Sequence, residues 1–213
     1  MRALPIILFP IILFLLFSVL PLSAQDPLIY KRAEVVIALR DDGSATMSLS
    51  YEIENRAWVP VVPGYGYLEF NSGRILKASA SIDGKKTEVI VNGSNLRYSI
   101  WEVIEPGKAI NVRVNVTVSD FLSKGIIFDE FQARIGPFSY EVEEVDLRVI
   151  PPNGMNIVYL KGEGRPLKPG EAIDIEGEVS ALPLPNIGVR WYPLVWLIII
   201  AASISAVVLM RRR

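Results

Sequence analysis

The carboxylates Glu141, Glu143, Glu144 and Asp146, with Asp129 and Glu130 close by in sequence, are the densest set of reactive side chains in this chain. Two carboxyl groups can share acid–base work on a glycosidic bond, and several can offer hard oxygen ligands to calcium. Their spacing lacks the calcium-loop pattern, and it is also that of a solvated strand edge whose charges block edge-to-edge pairing. Ser123-Lys124 is a second pair of chemical interest, as nucleophile and base, but adjacent residues in a strand or turn point apart. The chain has no cysteine and no histidine. These absences remove thiol nucleophiles, disulfides, iron–sulfur ligation, a Ser-His-Asp triad and imidazole zinc sites. No residue is therefore expected to be catalytic or to bind metal, and no cofactor is expected. A carboxylate-dependent hydrolase is the competing enzymatic reading.

Binding is the alternative to chemistry, and the segment "WVPVVPGYGYLEF", Trp58 to Phe70, is where it is expected. Pro60, Pro63, Gly64 and Gly66 predict an irregular loop carrying Trp58, Tyr65 and Tyr67, either as a contact surface or as a cap on the core. Two glycosylation sequons, Asn92-Gly93-Ser94 and Asn115-Val116-Thr117, are possible modification sites on a turn and on the wet face of a strand.

The elements that must position these residues read as strands. Ala45, Met47, Leu49, Tyr51 and Ile53 alternate with polar residues after the turn "DDGS", and Ile110 to Val118 does the same. Asp83-Gly84 and Asn92-Gly93 are hairpin signals, and between Val142 and Val145 the alternation slips, which predicts a bulge around Glu143 and Glu144. Nine or ten short strands with turns every 8 to 12 residues predict an all-β fold, an antiparallel β-sandwich over residues 25–180. The pattern resembles single-pass surface proteins with immunoglobulin-like or fibronectin-like sandwiches, although the Cys and Trp pattern of true immunoglobulin domains is absent.

The two ends set the expected location. Residues 1–24 pair Arg2 with an apolar run ending in Ser23 and Ala24, as a secretory signal does. Residues 191–210 are uncharged, flanked by Trp191, Tyr192 and Trp196 and followed by three arginines at 211–213, which predicts a transmembrane helix with a cytoplasmic basic tail. Residues 181–190 then form a stalk stiffened by Pro183 and Pro185. Leu184-Pro185-Asn186-Ile187-Gly188, the apolar stretch and the basic tail together also resemble bacterial sortase sorting signals, with Ile187 where their consensus has Thr. That resemblance implies a processed surface protein.

All 23 acidic residues lie between the terminal blocks, while Arg2 and the three terminal arginines among the 22 basic ones do not. The central domain is thus net acidic, and no nucleic-acid partner is expected. The expected function is a membrane-anchored surface protein of the cell membrane, its external sandwich serving binding or assembly. Its expected partners are the lipid bilayer, through residues 191–210, and a protein or glycan.

Overall fold

The computed structural model describes residues 26–70, 73–162 and 164–211, apart from the side chains of 208, 209 and 211. Among these described residues thirteen strands build two sheets. The first is formed by β1 (Leu28–Leu39), β2 (Ala45–Asn55), β4 (Arg74–Ile82), β5 (Lys85–Thr87), β8 (Ala109–Ser119) and β11 (Val142–Ile150), in the order β11-β1-β2-β8-β4-β5. The second contains β3 (Gly64–Phe70), β6 (Val89–Asn92), β7 (Asn95–Ile100), β10 (Asp129–Gly136), β12 (Asn156–Gly162) and β13 (Ile173–Ser180), in the order β12-β13-β10-β3-β7-β6, with β9 (Leu122–Ser123) paired to β10.

Alternation produces this arrangement directly. In β2 every odd residue from Ala45 to Asn55 is buried, and in β8 Ile110, Val112, Val114, Val116 and Val118 are buried in step. These faces meet Leu68, Phe70, Leu96, Ile100, Ile135 and Ile175 of the second sheet in one core. The all-β class is thus observed, with one departure from an antiparallel sheet: β1 runs parallel to β11. Because β1 and β11 are far apart in sequence, no hairpin constrains their direction, and a long crossover suffices.

The slip between Val142 and Val145 is present, with Glu143 and Glu144 both exposed between two buried valines. β1 makes the same step at Lys31 and Arg32 between buried Tyr30 and Ala33, and its register with β2 shifts there. The two parallel strands change face together, so Arg32 lies beside Glu144 and pairs with Asp146 at 2.7 Å.

Glycines in the second sheet make room for rings. A Cβ on Gly177 would lie 2.2 Å from the Phe131 ring, and one on Gly66 would lie 2.2 Å from the Tyr98 ring. Each ring lies across the glycine that faces it in the neighbouring strand. This covers backbone that would otherwise lose packing. Tyr98 reaches on through the core to share a hydroxyl–hydroxyl hydrogen bond with Tyr51 of the first sheet, one oxygen donating and the other accepting, so each buried oxygen has a polar partner.

The membrane reading of the C-terminus requires correction. Helix α1 (Trp191–Arg211) does occupy that segment, yet among the described residues no helix is long and apolar enough to cross a membrane. Trp191, Tyr192 and Pro193 fill the first turn, and Ser203 and Ser205 turn their hydroxyls back to the carbonyls of Ile199 and Ala201. The transmembrane helix, the bilayer contact through 191–210 and the single-pass placement at the cell membrane therefore lose the span they require. The signal expected at 1–24 and the side chains of the basic tail lie outside the described residues.

What the helix does show is attachment to the second sheet. Glu178, 1% exposed on β13, accepts the Trp191 amide at 2.7 Å, a carboxylate at the positive end of a helix. Arg190 pairs with Glu176 at 3.1 Å and lies over the Tyr159 ring, while Trp191 Nε1 donates to the Pro185 carbonyl. The segment resembling a sorting signal is therefore folded back on the helix start, with Asn186 Oδ1 accepting the Gly188 amide.

Candidate functional site

Tyr65 and Tyr67 do not lie on an irregular loop. They belong to β3, whose residues alternate outward (Tyr65, Tyr67, Glu69) and inward (Gly66, Leu68, Phe70). The glycines suggest a loop because they lack strand propensity, but Tyr98 behind Gly66 restores the missing packing, and the strand holds.

Pairing with β7 arranges the outer face in rows. Tyr65 is opposite Ser99, Tyr67 opposite Arg97, and Glu69 opposite Asn95. On the far side of β7, β6 places Ile90 beside Arg97 and Asn92 beside Asn95. The Arg97 guanidinium lies 4.7 Å from the Tyr65 ring centre, and Trp101 meets that ring edge-on at 5.3 Å. The rings are thereby held by a cation–π contact and an edge-to-face contact rather than left as free rotors.

Trp58 stands apart on the loop between β2 and β3 and is 94% exposed. That loop is nonetheless fixed. Asn55, fully buried, donates its amide to the carbonyls of Val59 and Ile104 at 2.8 and 2.7 Å and accepts the Ala57 amide at 2.8 Å. Val61 and Ile104 exchange backbone hydrogen bonds at 3.1 and 2.9 Å, tying this loop to the one after β7. The two loops display Trp58, Val59, Val62, Trp101 and Val103, all exposed, at one pole of the domain. The opposite pole holds the turn after β1, the β9 segment and Ser180, from which the chain leads to α1.

Beside the rings, a groove of about 490 Å³ runs over the same outer face. Tyr67, Glu69, Ile90, Asn92, Asn95 and Arg97 line it, and Pro137 and Ser139 close one side. Sequence reasoning named only Tyr67 and Asn92 among these. The signal for Arg97 and Trp101 was available, since period-2 alternation of "LRYSIWEV" puts Arg97, Ser99 and Trp101 on one face.

The carboxylates are not assembled into a site. Glu143 pairs with Arg56 at 2.6 Å and Asp146 with Arg32 on the first sheet, whereas Asp129 and Glu130 stand on β10 in the second. Hydrogen bonds donated to Asp146 and Glu143 raise the pKa of Arg32 and Arg56 above the ordinary arginine value. Asp129 accepts the Gly125 amide, which fixes the turn before β10. Among the described residues no group of three or more acidic side chains is placed to hold a metal ion. Lys124 donates to the Asp41 carbonyl, while Ser123 pairs with Glu130 across β9 and β10. Of the sequon asparagines, Asn92 is exposed at the groove and Asn115 is half-buried in mid-sheet, opposite Ser48 and Ser79.

No family model matches the chain. An uncharacterized protein of Methanocaldococcus jannaschii is 26% identical over 111 residues, covering 52% of this chain and 83% of that one. Among solved structures, an M1 zinc metallopeptidase of Deinococcus radiodurans aligns over 71% of this chain and 39% of its own, at 10% identity and a TM-score of 0.43. Native leukotriene A4 hydrolase of Saccharomyces cerevisiae aligns over 74% and 30%, at 8% identity and a TM-score of 0.44. This chain thus spans well under half the length of either enzyme.

Proposed function

We propose that this chain is a non-catalytic recognition module, an accessory subunit that docks a protein partner on the pole carrying Trp58 and Trp101. In this reading the two sheets are a sandwich of immunoglobulin-like or fibronectin-like architecture, serving as a rigid scaffold. The observation that carries it is the combination of exposure and fixation: Trp58 is 94% exposed on a loop that a fully buried asparagine pins by two hydrogen bonds and ties by a third to Ile104 of the neighbouring loop. A loop that served only to cap the core would bury its tryptophan. Here the ordering entropy of the loop is met within the free protein, so a partner need not supply it on binding. Exposed tryptophans are also side chains that anchor interfaces, and the valines beside them exclude water from the contact.

The test is cross-linking and affinity isolation of the tagged chain from its own cells, comparing wild type with the Trp58→Ala, Trp101→Ala double variant. Both side chains are exposed, so thermal stability should change by about 0.5 kcal/mol or less. Loss of a stoichiometric protein partner with stability retained is the expected result. Partners recovered equally from both forms would refute the docking surface.

A further inference from the structure

The geometry points to a second, separate site: the groove on the outer face of β3, β7 and β6 binds a neutral oligosaccharide. It is independent of the proposed docking pole, because its lining (Tyr67, Glu69, Asn92, Asn95, Arg97) lies along the sheet face and does not include Trp58 or Trp101. A sugar ring presents two kinds of surface, a face of C–H bonds and an edge of hydroxyls. The groove offers the complement of both. The exposed face of Tyr67 and the flank of Ile90 meet C–H groups, and around them stand two planar amides, one carboxylate, one guanidinium and the Ser139 hydroxyl, each able to pair with hydroxyls.

Other ligand classes fit less well. The one cation, Arg97, is matched by one carboxylate, Glu69, so phosphate or nucleic acid finds no positive excess. A purely apolar ligand would bury Asn92, Asn95, Glu69 and Arg97 without partners, which costs more than contact with Tyr67 and Ile90 returns. An added peptide strand needs an open sheet edge, and β6, the edge strand here, offers only four residues. A volume of about 490 Å³ suits a short oligosaccharide better than a single sugar.

The purified chain should be titrated with neutral hexose oligosaccharides of one to five units, from glucan, mannan and cellulose, and in parallel with uronate and sulfated oligosaccharides. At least one neutral series should bind, with affinity rising from one to about three units and then levelling. Tyr67→Ala should weaken that binding at least about tenfold, whereas Trp58→Ala should leave it unchanged. Tyr67→Ala should also retain the melting temperature, because its side chain is exposed. The inference is overturned if no neutral series binds, if only the acidic oligosaccharides bind, or if Tyr67→Ala binds as wild type does. Loss of binding in Trp58→Ala alone would relocate the sugar to the docking pole and overturn it as well.

Discussion

Removing the amide of Asn55 should loosen the docking pole and destabilise the whole domain. Asn55→Ala deletes two donated hydrogen bonds, to Val59 and Ile104, and one accepted from Ala57. The Ala57 amide and the Val59 carbonyl lie in an open loop, where water replaces part of the loss. The Ile104 carbonyl keeps a weaker bond from the Val61 amide at 3.1 Å. With each bond contributing about 0.5–1.5 kcal/mol and a cavity left in place of a fully buried side chain, the loss comes to roughly 2–4 kcal/mol. For a domain of this size that lowers the melting temperature by about 5–15 °C. Two further variants separate the causes. Asn55→Leu fills the volume but makes no bonds, and it should be no better than alanine. Asn55→Asp should be worse than either, because it turns a carboxylate toward two carbonyls in a buried site. Urea unfolding gives the free energies, and hydrogen exchange of residues 56–63 should speed up before global unfolding. A loss under about 0.5 kcal/mol for Asn55→Ala, or full stability in Asn55→Leu, would show that the amide does not hold the loop.

The strand phase and the buried tyrosines give two further tests. Val114→Asp should unfold the domain or cost more than about 4 kcal/mol, because Val114 is buried between Leu49 and Ala80. Asn115→Asp, facing Ser48 and Ser79, should cost under about 1 kcal/mol in the same urea experiment, and equal tolerance at both positions would refute the register. Burial raises the phenol pKa of Tyr30, Tyr51 and Tyr98, so the folded state holds these protons more tightly than the unfolded chain does. Their contribution is complete below the unfolded value near pH 10 and is lost as pH rises through the folded values. Ultraviolet titration should show these three ionising only as circular dichroism reports unfolding, and ionisation near pH 10 in a folded protein would contradict the burial argument.

Much of the first sheet was legible in the sequence because its strands are long and wet on one side. "RILKASASI" and "AINVRVNVTVS" coincide with β4 and β8 to the residue, and the slip at Glu143 and Glu144 marked the paired irregularity with β1. "TEVIV" reads as one strand, but the structure divides it: Thr87 pairs with Ala80 in the first sheet and Val89 with Tyr98 in the second. Alternation carries no record of a change of sheet, since the corner at Glu88 is made by partners on both sides, including the Thr87 hydroxyl on the Ser99 carbonyl. The parallel pairing of β1 with β11 was invisible for the same reason, being a choice of neighbour rather than of local conformation.

The candidate site was half legible, and its hidden half depends on residues behind it. Trp58, Tyr65 and Tyr67 draw notice as aromatics among glycine and proline, and those same small residues suggest a loop. What turns Gly64 to Phe70 into a strand is Tyr98, which fills the space over Gly66 and is itself fixed by Tyr51 across the core. The outward tyrosines, the Arg97 that lies against one of them and the groove beside the other all follow from that inner contact, because a straight β3 is what brings the three into register. Asn55 organises the loop of Trp58: a polar residue closing the inward face of β2 reads as a strand end, and only its three partners show that it organises a surface. At β3 the outward residues are set by Tyr98, more than a full strand and loop away from Gly66 in sequence, and at the Trp58 loop Asn55 acts locally on Ala57 and Val59 but also joins the loop to Ile104, 49 positions away, where local pattern ceases to inform.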